Sequence, residues 1–315
     1  MTETNILRAG FCAIIGAPNA GKSTLTNRLV GAKVAIVTHK VQTTRFPVRG
    51  VMQTGDTQVV IVDTPGIFAA KRRLDRAMVK AAWGGAEDAD CIVHLIDASA
   101  WVAEAEGKAS GAQRHSLEDD RRVISQLKEA GKRAILALNK IDLFPHDRVL
   151  PVIAALSAEG VYDEIFMISA EKGDSVDKLE AAIAARMPEG PALYPPDQVA
   201  DLPMRILASE VTREKLMLRL HQELPYQLTV EAESWEEHEN GSVRIQQVII
   251  VGRDSHKAMV LGKGGSLIKE IGKQARAELT QMLDRPVHLF LFVKVDERWQ
   301  ERRESYSGIG LEFDV

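Results

Sequence analysis

A glycine-rich run near the N-terminus has the residue types and the spacing that hold phosphate groups. Residues 16–23 read GAPNAGKS, so Gly16 and Gly21 precede Lys22 and Ser23. Glycines allow successive backbone N–H groups to turn inward around phosphate oxygens, and Lys22 is predicted to reach the terminal phosphates. The Ser23 hydroxyl is predicted to contact Mg²⁺ at the start of a helix, whose dipole also favours an anion.

A second motif, DTPG at 63–66, follows the apolar run 59–62, which is typical of a buried strand. The Asp63 carboxylate is therefore predicted to lie at the sheet edge and to hold Mg²⁺ through water. Gly66 has no side chain, so its N–H can approach a γ-phosphate closely. The next residue, Ile67, cannot orient an attacking water, and we expect slow intrinsic turnover.

Two further motifs specify the base. NKID at 139–142 and SAEKG at 169–173 each follow an apolar run. A buried carboxylate at Asp142 can accept the ring N–H and the exocyclic amine of guanine, a pair of donors that adenine lacks. The Ala170 N–H is predicted to donate to the guanine carbonyl. A P-loop alone also marks ATPases and kinases, but four motifs in this order predict a GTPase.

Composition sets the class of protein that carries these motifs. The chain has 315 residues, of which 45% are hydrophobic and 27% charged, as in a globular protein of two domains. No apolar stretch has transmembrane length and no signal-peptide core is present, so we expect a cytoplasmic protein. The two cysteines, Cys12 and Cys91, are predicted to be small core residues. The net charge of −4 requires any nucleic-acid site to be a local patch.

The order of patterns predicts two domains. Residues 1–187 alternate strands and helices, as in a doubly wound, mostly parallel α/β P-loop domain, and 101–120 is interpreted as a flexible surface insertion. Five prolines mark 188–204 as a linker or a domain-crossing strap. Residues 205–315 are predicted to form a smaller α+β domain. The predicted strands are 10–15, 48–53, 58–63, 90–96, 133–139 and 164–168 in the first domain and 228–235, 243–251 and 288–295 in the second. The predicted helices are 22–30, 175–186, 205–220 and 265–283.

The second domain contains a candidate RNA-binding loop. Residues 262–265 (GKGG) lie between apolar stretches, and 253–276 contains six Lys or Arg against two Asp or Glu. In a KH domain, such a GxxG loop clamps about four nucleotides of a single strand, with N–H groups and a cation facing phosphates. A plain tight turn beside a solvated face is the alternative. The residues predicted to bind RNA are Gly262, Lys263, Gly264, Gly265, Lys257, Lys269 and Lys273.

With these motifs in place, the chain resembles the Era family of bacterial GTPases from end to end. The resemblance rests on 40–45 (KVQTTR), 63–66, 208–216 (ASEVTREKL), 223–226 (ELPY), 260–272 and 285–289 (RPVHL), besides the P-loop interior APN. It implies a GTPase domain followed by a type II KH domain, and GTP hydrolysis coupled to binding small-subunit ribosomal RNA near its 3′ end during subunit assembly. It also implies peripheral association with the inner membrane. We expect a monomer.

The resemblance completes the predicted site. Thr44 is predicted to contact Mg²⁺ and the γ-phosphate, with the adjacent Thr43 as the alternative. Asn19 is either a ligand for K⁺ or an ordinary polar residue of the loop. The predicted catalytic residues are Lys22, Thr44, Asp63 and Gly66. The predicted nucleotide-binding residues are Gly16, Ala17, Pro18, Asn19, Ala20, Gly21, Lys22, Ser23, Thr24, Asp63, Thr64, Pro65, Gly66, Ile67, Asn139, Lys140, Asp142, Ser169 and Ala170.

Two other functions compete with an RNA-binding GTPase. In the first, the protein is a GTPase switch that docks a protein or membrane partner through its C-terminal domain. In the second, it is a metabolic phosphotransferase, against which the NKID and SAEKG motifs argue. Salt-sensitive RNA binding would favour the RNA-binding GTPase, and salt-insensitive binding to a protein partner would favour the first alternative. A phosphorylated acceptor would identify the second alternative.

Overall fold

The computed structural model describes residues 7–70, 72–307 and 309–315. The chain divides into two compact units. The first comprises the described residues up to Ala35, then Thr44–Asp201 and the last two residues. The second comprises Ile36–Thr43 and Leu202–Phe313. Among the described helices, none combines the length and the apolar character needed to span a bilayer.

The first unit is built on a six-stranded sheet with the order β2-β3-β1-β4-β5-β6. Only β2, which pairs with β3, runs antiparallel, so the predicted mostly parallel sheet is confirmed. The apolar runs form these strands because both faces of a parallel sheet are covered. The strands are β1 Arg8–Ile15, β2 Val48–Thr54, β3 Thr57–Asp63, β4 Cys91–Asp97, β5 Ala134–Asn139 and β6 Tyr162–Met167.

Helices cover both faces of this sheet. Alternate residues of β1 enter different cores: Ala13 and Ile15 belong to one cluster, and Cys12 and Ile14 to the other. Cys12 and Cys91 are buried free thiols, as predicted. The helices of this unit are α1 Lys22–Val30, α2 Arg73–Glu87, α3 Ala98–Ala105, α4 Gly111–Glu129, α5 Leu150–Ser157 and α6 Val176–Ala184.

The prediction of a flexible insertion at 101–120 is wrong. Residues 101–105 lie in α3 and residues 111–120 in α4, and the Trp101 indole donates to the buried Asp120 carboxylate at 2.9 Å. Ser110 caps α4, and Gln113 completes a capping box. The pattern was hidden because three of the buried apolar residues of α4, Val123, Ile124 and Leu127, lie beyond position 120.

The proline-rich segment 188–201 groups with the first unit. The buried Gln58 side chain accepts from the backbone N–H groups of Leu193 and Tyr194 at 2.8 and 2.9 Å. Its amide also donates to the Tyr194 carbonyl at 2.8 Å. Single bridges join Glu189 to Arg8 and Ala200 to Gly50. Backbone hydrogen bonds therefore hold the two ends of this segment, and the Gln58 side chain holds its proline-rich middle, where prolines cannot donate to a sheet ladder.

The second unit has three helices packed on one face of a three-stranded sheet ordered β7-β8-β9. β8 pairs antiparallel with β7 and parallel with β9. The alternating patterns at 228–235 and 288–295 form half-exposed strands, as predicted. Its elements are α7 Met204–Arg219, β7 Leu228–Glu237, β8 Val243–Val251, α8 Asp254–Leu261, α9 Ser266–Leu283, β9 Val287–Val295 and α10 Glu304–Ser307.

Residues 36–43 are hydrogen-bonded to α7 within the second unit. The Val37 N–H donates to the Glu214 carboxylate at 2.9 Å. The Lys40 ammonium donates to the carbonyls of Met217 and Leu220, where α7 ends and carbonyl groups lack partners inside the helix. The chain re-enters the first unit at Thr44.

Candidate nucleotide site and nucleic-acid interface

The P-loop connects β1 to α1 and requires its glycines. Gly16 has a φ of +147°, and an added Cβ would lie 2.1 Å from the Leu95 carbonyl oxygen. Gly21 has a φ of +102°, and its Cβ would lie 2.3 Å from the Asn139 amide nitrogen. Neither position admits a side chain, because the nearest atoms belong to the backbone or to a hydrogen-bonded amide. The loop can therefore approach a ligand with its backbone.

The side chain of Lys22, the first residue of α1, is enclosed by this loop. Its Nζ donates to the carbonyls of Gly16 and Ala17 at 3.0 and 2.9 Å. Burial lowers the pKa of Lys22 to about 8, and the Asp63 carboxylate opposes that shift. A buried ammonium with a lowered pKa is a cation that an anionic ligand would stabilise. The predicted phosphate contact is compatible with this position.

Three oxygen-bearing side chains converge beside Lys22. The Ser23 hydroxyl donates to Asp63 Oδ2 at 2.7 Å and lies 2.9 Å from the Thr44 hydroxyl. Thr44 Oγ1 is 3.5 Å from Asp63 Oδ2. The adjacent Thr43 hydroxyl instead lies 2.6 Å from Thr38 Oγ1 and donates to the Lys40 carbonyl at 2.8 Å. Of the two threonines, the structure brings only Thr44 to Ser23 and Asp63.

This cluster fits Mg²⁺. Asp63 is fully buried, and its Oδ1 has no hydrogen-bond partner among the residues described by the structure. Burial raises the pKa of Asp63 to about 6, although the Ser23 hydroxyl and the Lys22 ammonium lower it. Hard cations prefer hydroxyl and carboxylate oxygens as ligands. A bound Mg²⁺ would give the buried Asp63 Oδ1 the partner that it lacks among the described residues.

The DTPG loop packs directly on the P-loop. The Thr64 hydroxyl donates to the Ile14 carbonyl at 2.8 Å, and the Ile67 N–H donates to the Gly16 carbonyl at 3.1 Å. An added Cβ on Gly66 would lie 2.9 Å from the Pro18 nitrogen and 3.0 Å from its Cα. The Ile67 side chain is buried in a core cluster, so it does not face the phosphate side of the loop.

A cleft at the carboxyl ends of the strands holds the base-recognition motifs. The Asn139 side chain donates to the Ala20 carbonyl at 2.7 Å and accepts from the Ala170 N–H at 2.9 Å. The Ala170 N–H, predicted to donate to the base, is therefore bonded to Asn139. The cleft is lined by Gly21, Thr24, Asn139, Lys140, Asp142, Leu143, Ser169, Ala170 and Glu171.

The Asp142 carboxylate was predicted to be buried, and in the structure it is exposed at this cleft. Its burial requires a ligand, because no neighbouring side chain covers it among the described residues. Lys140 has a φ of +67° and its ammonium donates to Asp97 at 2.7 Å. Asp97 also caps α3 through the Ser99 N–H at 3.0 Å. The cap fixes Asp97, and the ion pair with Asp97 in turn orients the Lys140 side chain along the cleft.

Two positioning residues had no signal in the motifs. The Arg28 guanidinium donates to the Ala170 carbonyl at 2.6 Å and also to the Glu171 carbonyl. Asp97, described above, holds Lys140. Both residues contact partners that are distant in the sequence. The only signals in the sequence are that Arg28 lies on a short helix and that Asp97 lies at the end of a strand.

The GxxG loop joins α8 to α9. Gly262 has a φ of +70°, and an added Cβ would lie 2.8 Å from Leu267 Cβ. Gly264 and Gly265 have φ values of +59° and +74°, with open space around an added Cβ. The N–H groups of Gly262 and Gly265 donate within the protein, to Ala258 and Gly262. These two N–H groups are therefore already bonded within the protein, and the contact of the loop with phosphate stays a prediction.

The predicted cations lie on this helix pair. Lys263, Lys269 and Lys273 are exposed, and Lys257 is half-buried. The acidic residues Glu231, Glu233, Glu236 and Glu237 lie on β7 at one edge of the sheet. The second unit therefore has a basic helix pair and an acidic edge strand, as the charge pattern predicted.

The fold and the site define a P-loop GTPase domain joined to a KH domain. Residues 11–140 match the model of the 50S ribosome-binding GTPase family, and residues 223–300 match the KH domain model. The chain is 57% identical to GTPase Era of Caulobacter vibrioides over 316 residues, which covers 100% of both chains. It is also 57% identical to GTPase Era of Maricaulis maris over 308 residues, 98% of each chain. The chain belongs to the Era family of GTPases.

Solved structures agree. A crystal structure of a variant Aquifex aeolicus Era bound to GDP·AlF4⁻ has a TM-score of 0.87 and 37% identity, over 98% of this chain and 100% of that chain. A structure of Era with MgGDPNP and nucleotides 1506–1542 of 16S ribosomal RNA has the same TM-score, identity and coverage. The predicted GTPase activity and the predicted two-domain fold class are confirmed.

Proposed function

We propose that the protein hydrolyses GTP and binds small-subunit ribosomal RNA near its 3′ end, in assembly of the small ribosomal subunit. One observation carries the proposal: a single chain joins a guanine-nucleotide site to a GxxG loop within a segment, 253–276, that has six Lys or Arg against two Asp or Glu. The Era structure that holds MgGDPNP and nucleotides 1506–1542 of 16S ribosomal RNA supports it. We propose a GTPase domain at 1–187, a proline-rich linker at 188–204 and a KH domain at 205–315, in a cytoplasmic monomer; residues 36–43 and 188–201 are exceptions, because they group with the second and the first unit, respectively.

The proposed roles in the nucleotide site follow from position. Lys22 binds the terminal phosphates, and Ser23 and Thr44 hold Mg²⁺ together with Asp63, which acts through water. The metal supplies positive charge to the phosphate oxygens when it is bound. Gly66 brings its N–H to the γ-phosphate. Asn139 ties the P-loop to the loop at 169–173, and Asp142 accepts from guanine.

We expect faster GTP turnover in K⁺ than in Na⁺. Asn19 lies exposed on the P-loop with a φ of +63°. A potassium ion there would add charge at the phosphates, which an arginine supplies in other GTPases. Phosphate release is measured at equal ionic strength in the two salts, with Asn19→Ala as the control. Equal rates in the two salts would leave Asn19 an ordinary polar residue.

The RNA proposal is tested at Lys263. Lys263→Ala should weaken binding to a 3′-terminal fragment of 16S ribosomal RNA and lower the slope of log affinity against log salt by about 1, because one phosphate contact is lost. Lys178→Ala, an exposed lysine on α6 of the first unit, is the matched control and should change neither. GTP turnover without RNA should stay the same in both variants.

The choice of Lys263 avoids a folding defect. A side chain at Gly262 would meet Leu267 at 2.8 Å, so a substitution there mixes loss of binding with strain. If the wild-type protein bound no RNA but retained a protein or a membrane through its second unit, the docking-switch alternative would replace the proposal. The peripheral inner-membrane association implied by the resemblance remains a proposal, which flotation with inner-membrane vesicles would test.

A further inference from the structure

The outer face of the three-stranded sheet carries two large exposed aromatic rings. Phe290 and Phe292 lie on the edge strand β9 and are 45% and 51% exposed. They alternate with Leu289, Leu291 and Val293, which pack toward the helices in the two core clusters. Exposed apolar side chains on one face, two residues apart, are unusual enough to indicate an interaction surface.

Cations and an amide flank these rings. In the register of β8 with β9, Arg244 lies beside His288, Gln246 beside Phe290 and Ile250 beside Lys294. The Arg244 guanidinium carbon is 5.1 Å from the centroid of the Phe290 ring. It also pairs with Glu236 of β7 at 3.4 Å, which holds it over the ring. The Arg244 cation and the Phe290 ring therefore lie together on the outer face of the sheet.

Charge is distributed unevenly across the sheet. The sequences of β8 and β9, VRIQQVIIV and VHLFLFVKV, contain no Asp or Glu, whereas β7 contains four Glu. The β9 side of the outer face is therefore aromatic and basic, and the acidic side chains are confined to the far edge. This complements a polyanion with flat apolar groups better than it complements a protein. Two rings also offer too little apolar area for a stable protein interface.

We propose that Arg244, Gln246, Phe290, Phe292 and Lys294, together called the aromatic sheet face, bind unpaired bases of an RNA strand that extends beyond the nucleotides held at the GxxG loop. The two phenylalanines stack on bases, and the cations attract phosphates. This inference rests on the proposed function, since it assumes that RNA occupies the GxxG loop.

The route of an RNA strand from the GxxG loop to the aromatic sheet face is short within the second unit. α8 and α9 pack on the inner face through residues such as Val260 and Ile271, and β9 is the sheet edge whose inner side chains join the same cluster. A strand leaving the helix pair reaches the outer face by crossing the β9 edge. Residues in a strand advance about 3.3 Å each, so Phe290 and Phe292 are about 6.6 Å apart along β9 and each takes its own base.

The experiment compares RNAs of different length. One oligonucleotide of about six unpaired nucleotides fills the GxxG loop, and two others extend it by about four unpaired nucleotides at the 5′ or the 3′ end. Dissociation constants are measured by fluorescence anisotropy for the full chain and for Phe290→Ala/Phe292→Ala. Phe290→Tyr/Phe292→Tyr keeps both rings. Leu150→Ala, which removes a 62% exposed apolar side chain from the first unit, is the matched control.

The wild-type protein should gain affinity with one of the two extensions. The double alanine variant should lose that gain, about tenfold or more, because stacking contributes several-fold to over a hundredfold per base. The tyrosine variant and Leu150→Ala should keep it. Affinity for the short RNA, GTP turnover and the melting temperature should match wild type in all variants.

Two results would overturn the inference while leaving the proposed function intact: neither extension adds affinity, or the double alanine variant keeps the whole gain although the short RNA binds normally. A failure of the wild-type protein to bind even the short RNA would instead remove the proposed function. An alanine variant that binds every RNA normally but no longer associates with small ribosomal subunits would reassign the face to a protein partner.

Discussion

Replacing Asp142 by asparagine is expected to lower the affinity for GTP by about 100-fold or more, since one hydrogen bond to a charged acceptor, about 1.5–3 kcal/mol, is lost and the other is weakened to a bond with a neutral amide. Asp142 lies on the cleft that also contains Asn139 and Ser169. A carboxylate accepts from both the ring N–H and the exocyclic amine of guanine. An asparagine amide has one acceptor atom and places a donor against that amine.

The same substitution should improve binding of xanthine nucleotides. Xanthine has a carbonyl where guanine has the exocyclic amine, so the introduced amide would donate to it and the pairing would be restored. Dissociation constants for GDP and xanthosine diphosphate, measured by competition with a fluorescent nucleotide, give the ratio directly. Asp147→Asn is the matched control, because Asp147 is exposed on the neighbouring short helix and is absent from the cleft. An unchanged ratio in Asp142→Asn would show that this carboxylate does not read the base.

Gly66→Ala should lower GTP hydrolysis by about 100-fold to 1,000-fold, the usual effect of displacing one preorganised donor from a transition state. The new Cβ would lie 2.9 and 3.0 Å from the Pro18 nitrogen and Cα. These are backbone atoms of the P-loop and cannot turn aside, so the DTPG loop must move away. The Gly66 N–H then no longer reaches the γ-phosphate.

GDP binding should be nearly unchanged in Gly66→Ala, because GDP has no γ-phosphate and the P-loop itself is intact. Single-turnover hydrolysis and the affinities for GDP and a non-hydrolysable GTP analogue separate these effects. Gly84→Ala is the matched control: Gly84 lies in α2 with no atom within 4 Å of an added Cβ. A side chain there should leave hydrolysis at the wild-type rate. Normal hydrolysis in Gly66→Ala would mean that the loop approaches the phosphate by another route.

The catalytic motifs could be located from the sequence because each is short and follows an apolar strand. Strands β1, β3 and β5 were predicted to within two residues, and Lys22, Asp63 and Asn139 follow or end these strands in the structure. Parallel strands bring their carboxyl ends to one edge of the sheet, so motifs distant in sequence meet there. The half-exposed strands β7 and β9 were equally legible from their period of two.

Other features depended on contacts that no local pattern encodes. Thr43 and Thr44 have the same chemistry and no periodic element around them. Only the hydrogen bonds of Thr43 with Thr38 and Lys40, and the approach of Thr44 to Ser23, distinguish them. The window 101–120 looked mobile because it is polar, yet its Asp120 is buried and accepts a hydrogen bond from the Trp101 indole.

The sequence by itself therefore determined the class of ligand, the order of the motifs and the two kinds of domain, since these follow from residue type and short-range periodicity. The tertiary structure decided which groups meet: Asn139 with Ala20 and Ala170, Arg28 with the loop at 169–173, and Arg244 with Phe290. Such partners are set by side-chain direction and strand register after the chain has folded. Separations along the sequence do not predict these contacts, because they form only when the packing of the whole domain brings distant residues together.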